Sequence, residues 1–310
     1  MGIYRGNGVE LYYELHGPHD APVLVFTHGA GWDHEQWTPQ IKEFSKDYRV
    51  LVWDIRSHGR SSCSNEALEG KLFSQDLLHL LDHLDIEKAV LAGCSMGGHI
   101  SLRAAVERPD KVAAVVAMGT PVTSAFNWYN RLGRCFKERS IRKMTMEIVD
   151  MSLQSFSFFA YGLSMRMLSM ETLAKLHAKG LSMISPQLRE YFYQVTVKHK
   201  KEQWIRIFNT VSRMELLEDL PKVSCPTMVI EGDAEWMMRR QHRYICECID
   251  GTVHCLVSDA GHAANLDNPE KVNSLLRDFL DKTVFTPVEP AAENPKASAL
   301  PPVNWPACQP

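Results

Sequence analysis

Val90-Leu91-Ala92-Gly93-Cys94-Ser95-Met96-Gly97-Gly98 is an apolar run that breaks into Gly-x-Ser-x-Gly and continues as His99-Ile100-Ser101-Leu102-Arg103-Ala104-Ala105. The pattern predicts a strand to Gly93, a sharp turn carrying Ser95, and a helix from Met96. A serine on so tight a turn sits in a strained backbone conformation, with the flanking chains close together. Glycine at 93 and 97 removes the Cβ atoms that would collide there. Ser95 Oγ is then held in the open above the strand ends. The helix N-terminus adds backbone N–H groups and a positive dipole end, which favour a developing oxyanion. Such a turn is a nucleophile elbow only if the rest of the chain brings a base and an acid to it.

The neighbouring segments repeat the same strand-then-loop grammar. Residues 2–15 read as a hairpin turning at Asn7-Gly8. Val23–Thr27 is a continuous apolar run, as in a strand buried on both faces, and ends in His28-Gly29-Ala30-Gly31. Residues 33–46 read as a helix. Arg49–Asp54 is the next strand. Ser74 reads as the cap of a helix with Leu77, Leu80, Leu81 and Leu84 on one face. Val112–Met118, Pro226–Gly232 and Thr252–Val257 complete the set, the last running into Asp259-Ala260-Gly261-His262. Apolar strands alternating with amphipathic helices predict a mostly parallel, doubly wound α/β sheet covered on both faces. Ligands bind such sheets beyond the carboxyl ends of the strands, where Ser95, His28 and Asp54 all fall.

From 121 to 221 the strands vanish and helical stretches dominate. Eight of the 14 methionines lie here, with Phe156, Phe158, Phe159 and Tyr161 among them. The expected organisation is a core of residues 1–120 and 222–283, a helical cap inserted at 121–221, and a flexible tail at 284–310, which holds seven of the 16 prolines. Most of the cap methionines are expected to pack helices and a minority to line an apolar pocket. The run Arg131, Arg134, Lys137, Arg139, Arg142, Lys143 reads as a solvated helix face.

Composition narrows the partners. A net charge of −3 gives no drive toward nucleic acid or an anionic membrane. No apolar run reaches the ~18 residues of a membrane span. The N-terminus lacks the apolar stretch of a secretory signal, and the eight scattered cysteines suit a reducing cytoplasm. No metal or cofactor is expected, because His242 and His254 have no partners at ligand spacing. The expected partner is a small-molecule substrate, bound by a monomer or homodimer.

His28-Gly29, the Asp54–Ser61 segment, Gly93-Cys94-Ser95-Met96-Gly97, the acidic loop after Gly232 and Asp259-Ala260-Gly261-His262, in this order and each after a strand, resemble the α/β-hydrolase fold family in its helical-cap branch. The resemblance covers roughly residues 8–281. It implies Ser95 as nucleophile and His262 as its base, with a carboxylate holding the imidazole. The oxyanion hole would use the N–H groups of Met96 and Ala30. The family places its acid a few residues after the glycine ending the seventh strand. Here that segment is Gly232-Asp233-Ala234-Glu235, so Glu235 is favoured by spacing and Asp233 is the alternative. His28, Gly31, Trp32, Trp236 and Met237 are pocket candidates, His28 chiefly as an organiser of its loop, and His99 is expected at the pocket rim. The implied activity is serine-dependent hydrolysis of an ester, thioester or lactone of small-to-medium apolar character. The branch also includes C–C bond hydrolases, cofactorless perhydrolases and slow ligand-sensing members on the same three residues.

Overall fold

The computed structural model describes residues 1–63, 68–124, 126–137 and 141–283. The Pro-rich stretch 284–310 lies outside the described residues. The strands are β1 (Gly2–Gly6), β2 (Val9–His16), β3 (Val23–Thr27), β4 (Arg49–Trp53), β5 (Ala89–Cys94), β6 (Val112–Met118), β7 (Thr227–Gly232) and β8 (Val253–Val257). The core helices are α1 (Thr38–Phe44), α2 (Gly70–His83) and α3 (Met96–Glu107). Between β6 and β7 come α4 (Trp128–Lys137), α5 (Ile141–Met167), α6 (Met170–Leu181), α7 (Arg189–Val197) and α8 (Lys201–Val211). After β7 come α9 (Arg239–Cys248), α10 (Ala264–Asp267) and α11 (Pro269–Thr283).

The strands form one sheet in the order β1-β2-β4-β3-β5-β6-β7-β8. The β1/β2 and β2/β4 pairs are antiparallel and the remaining pairs parallel. Every residue of β5 and β7 is buried, because helices cover both faces. Alternate strand residues feed two cores. Val25, Leu91, Val115 and Val229 pack on one face with Leu77, Leu81 and Ile100. Leu24, Phe26, Val90, Val116 and Ile230 pack on the other with Phe44, Leu276 and Phe279. The chain passes from β3 to β4 on one side, then crosses to β5 on the other. The loops after β3 and β5 therefore diverge around a crevice, the topological switch point where such sheets bind ligands. Among the described residues no helix is long and apolar enough to cross a membrane.

Several local expectations are corrected. The segment 33–46 is a 3₁₀ turn at His34–Trp37, capped by Asp33, followed by α1. Helix α2 starts at Gly70, one turn before Ser74, whose hydroxyl instead bonds the Lys71 carbonyl and Glu107. An i−3 carbonyl satisfies a serine hydroxyl inside a helix, so the residue type alone does not mark a start. Arg131 does not lie on a solvated face. It is wholly buried between Glu147 and Asp150 of α5. The methionines of residues 121–221 divide: Met151, Met165 and Met214 are buried, whereas Met146, Met167 and Met183 face outward.

Helices α7 and α8 lie over the loops that follow β3 and β4. The Trp32 and Phe192 ring centroids are 5.3 Å apart. Tyr191 Oη donates to Asp33 at 3.2 Å, and Gln203 Nε2 donates to the Ser57 carbonyl. The Trp204 ring lies directly against Gly31.

Candidate active site

Ser95 has φ 54° and ψ −119°, a conformation that costs a non-glycine residue on the order of 1–3 kcal/mol. Packing holds it there. The Ser95 amide donates to the Met118 carbonyl of β6 at 2.7 Å, and its carbonyl accepts the amides of Gly98 and His99. A Cβ on Gly93 would lie 2.2 Å from the Gly97 carbonyl carbon, and one on Gly97 would lie 2.1 Å from the Thr27 carbonyl oxygen. Only glycines let strand and helix approach this closely. Among the described residues no hydrogen bond engages Ser95 Oγ.

His262 follows β8 and meets Glu235, which follows β7. Nδ1 of His262 hydrogen-bonds Oε2 of Glu235, and the carboxylate's Oε1 accepts the amides of Met237 (3.1 Å) and Met238 (3.3 Å). Asp233 faces elsewhere. It accepts the amides of Asp259 (3.2 Å) and Ala260 (3.3 Å), bracing the loop that carries His262. An imidazole that donates from Nδ1 keeps its lone pair on Nε2, as a general base requires. Burial pushes Glu235 up, but the neighbouring imidazole outweighs it and the net shift is down. Burial likewise lowers His262, and the Glu235 carboxylate reverses this to a net rise. The pair thus favours the charged state that forms when His262 takes a proton.

The loop after β3 is organised by side chains rather than by its own backbone. His28 is fully buried, with Nδ1 on the Gly29 carbonyl at 2.8 Å and Nε2 accepting the Ile55 amide at 3.0 Å. Burial holds it at about 4, and so neutral. Gln36 Oε1 accepts the Gly29 amide at 3.0 Å, and Gln36 Nε2 donates to Asn265 at 3.1 Å. This ties the β3 loop to the segment just after His262. No motif marks Gln36 or Asn265, because their partnership spans more than two hundred residues. Among the described residues the amides of Ala30 and Met96 have no hydrogen-bond partner. Trp32 is buried, with its ring centroid 6.1 Å from that of His262 and its indole N–H unpaired.

The structure does not bring Trp236 and Met237 into this group as side chains: both are exposed, Trp236 by 64%. The Met237 contribution is its amide on Glu235. His99, expected at the rim, is buried with Nδ1 on the Pro121 carbonyl. Burial lifts the Cys94 thiol to about 12, which suits packing, not nucleophilic chemistry. His177 of α6 was not singled out by sequence. Its ring packs on Trp204 at 5.1 Å, its Nε2 is buried without a partner, and burial followed by the charge of nearby His262 lowers it to about 3.

His242 and His254 do have partners, contrary to the sequence expectation. Their ring nitrogens and a Glu231 oxygen lie within 4.8 Å of one another. This set has the donor types of a metal site, but its hydrogen bonds use the same atoms. His242 Nε2 accepts the Thr120 amide at 3.2 Å, which puts its proton on Nδ1, facing Glu231 at 3.0 Å. Arg239 also donates to Glu231 at 2.9 Å. The cluster anchors the loop after β6, against which His262 lies.

Residues 22–269 match the sequence profile described as alpha/beta hydrolase fold. The chain belongs to this family, and its class is hydrolase. It is 25% identical over 292 residues to 3-oxoadipate enol-lactonase 1 of Acinetobacter baylyi, covering 90% of this chain and 96% of that protein. It is 26% identical to a protein of Stutzerimonas stutzeri named for carbamate hydrolysis, covering 87% and 96%. Its fold is similar to that of an enol-lactonase from Burkholderia xenovorans, with a TM-score of 0.74, 24% identity, and coverage of 91% and 100%.

Proposed function

We propose that the protein is a serine-dependent hydrolase that cleaves an ester, thioester or lactone through an acyl-enzyme on Ser95. The observation that carries this reading is the Glu235–His262 hydrogen bond, which leaves His262 Nε2 as the acceptor, together with the strained Ser95, whose Oγ has no hydrogen bond among the described residues. Catalytic hydrogen bonds are often long before substrate binds and tighten in the complex. Residues 121–221 act as the cap of this site, over a core of 1–120 and 222–283.

In the proposed cycle Ser95 Oγ attacks the carbonyl carbon while its proton passes to His262 Nε2. The negative charge that forms on the carbonyl oxygen is met by the Met96 and Ala30 amides. Glu235 stabilises the imidazolium and holds its tautomer. His262 then gives the proton to the leaving oxygen or sulfur. In a second half-cycle it takes a proton from water as the oxygen attacks the acyl carbon; the bond to Ser95 Oγ then breaks, the acid leaves, and His262 returns the proton to Oγ. Lactone hydrolysis is supported by the enol-lactonase relative. An apolar acyl group is supported by Trp32, Phe192 and Trp204 over the loop after β3.

The test is a panel of p-nitrophenyl esters of rising acyl length and a series of lactones, assayed with wild type and Ser95→Ala. A fluorophosphonate should label the peptide holding Ser95. Undiminished turnover by Ser95→Ala on every active substrate would refute the reading.

A further inference from the structure

We propose that the acyl part of the substrate carries an uncharged oxygen, keto or hydroxyl, and that Trp32 and His177 recognise it. This rests on the serine-hydrolase reading above and adds the chemistry of what that site takes. Among the described residues Trp32 Nε1 and His177 Nε2 are buried and have no hydrogen-bond partner. Two neighbours in the same seam between cap and core are satisfied. Trp204 Nε1 donates to Tyr161 Oη at 3.1 Å, and Tyr191 Oη donates to Asp33 at 3.2 Å. Native interiors leave few polar atoms unpaired, so two of them beside one site call for a partner from outside the chain.

Both side chains border the reacting groups. The Trp32 ring centroid is 6.1 Å from that of His262. Its Cε3 and Cζ3 atoms lie against Gly29, so the N–H is on the far edge of the ring from its own loop. The His177 ring packs edge-on against Trp204 at 5.1 Å, and the Trp204 ring lies against Gly31. Gly31 stands between Trp32 and Ala30, whose amide is assigned to the oxyanion. The two unpaired atoms are thus each within one residue or one aromatic ring of Gly31.

The donor types select the charge of the oxygen. An indole N–H only donates, so its partner is an acceptor. Burial keeps His177 neutral, and the titratable groups acting on it are His262 and His199, not a lysine or arginine. A carboxylate brought beside His177 would find no permanent cation to offset its desolvation. A keto oxygen can accept from both groups, and a hydroxyl can accept from Trp32 while donating to His177. The Phe192, Trp204 and Phe208 rings suit the rest of the acyl chain as hydrocarbon.

The test compares ethyl hexanoate with its 3-oxo, 4-oxo, 5-oxo and 3-hydroxy derivatives and with monoethyl adipate. Hydrolysis by the full chain is followed by pH-stat, and binding to the Ser95→Ala protein, which needs no turnover, by titration calorimetry. The best uncharged oxygenated ester should exceed ethyl hexanoate in kcat/KM and in affinity by about 10-fold or more. Trp32→Phe and His177→Phe keep the aromatic contacts and remove the polar atom. Each should cut that ratio several-fold, whatever loss the two esters share. His177→Gln, which restores a donor and an acceptor, should recover part of it. Leu176→Ser, at an exposed neighbour on α6, should leave the ratio as in wild type. Three results would overturn the proposal. The first is no oxygenated ester ahead of ethyl hexanoate by either measurement. The second is a ratio indifferent to both phenylalanine variants. The third is monoethyl adipate ahead of every uncharged ester. Oxygenated esters that bind Ser95→Ala preferentially, yet are not hydrolysed by wild type, would uphold this recognition and sink the hydrolase reading.

Discussion

Glu235 and Asp233 sit two residues apart after β7, yet only Glu235 reaches His262: Asp233 turns to the amides of Asp259 and Ala260. The difference separates their expected roles. Glu235→Gln keeps the shape but offers an amide where the imidazole needs an acceptor. kcat should fall by ~10²–10⁴, the range that follows loss of the tautomer-holding acid. Asp233→Asn should leave kcat within a few-fold and lower stability by about 1–2 kcal/mol through weakened loop bonds. Steady-state kinetics and urea unfolding of both variants check this, and equal loss of kcat in the two would defeat it.

Ser95→Ala should reduce turnover by about 10⁴-fold or more. Its melting temperature should match or slightly exceed that of wild type, because the hydroxyl makes no hydrogen bond among the described residues while the strained backbone is retained. Calorimetry beside the ester assay reads both effects.

The carboxylate of Glu235 raises His262 above its ordinary 6.5. The base must be neutral to act, so kcat/KM should fall on the acid side with a midpoint above 6.5. A folded-state rise also means that this group's contribution to stability is fully present below 6.5 and is lost as pH climbs through the folded value. In Glu235→Gln burial is opposed only by the weaker influence of Asp267, so the midpoint of the residual activity should move down. A midpoint that stays in place would show that another group sets the limb.

Gly119 has φ +54°, and a Cβ there would lie 2.9 Å from His262 Nδ1. Gly119→Ala should therefore cost on the order of 1 kcal/mol in stability and considerably more in kcat, because the imidazole must shift against Glu235. Unchanged kcat in a folded Gly119→Ala would show that the ring has room to move.

Glu147 is a buried carboxylate shared by Arg131, Arg240 and Tyr244. It pins α4 and α5 to α9 of the core. Glu147→Gln should destabilise by about 3 kcal/mol, since it leaves Arg240 without this counter-charge and buried Arg131 with Asp150 alone. Denaturant titration measures the loss, and a change under about 1 kcal/mol would contradict it.

The elements were readable because their determinants are local. The apolar run Val90–Cys94 with glycines at 93 and 97, the hairpin at Asn7-Gly8, and the alternation of strand and helix each follow from neighbours within one or two turns. The order of Ser95, the 233–235 acids and His262 along the chain was equally open to inspection. What could not be read is which side chain meets which across the sheet. Thr120 pairs with His242 and Gln36 with Asn265, and neither pairing leaves a periodic trace. Arg131 looked solvated because its run is basic, and only the meeting of α4, α5 and α9 buries it.

The sequence by itself determined the architecture and the serine on its turn, since backbone periodicity and glycine placement act over a few residues. The tertiary structure alone decided that Glu235 and not Asp233 touches His262, and that Trp236 faces outward. The physical reason is that orientation and burial depend on what packs against a residue, and those partners come from distant parts of the chain.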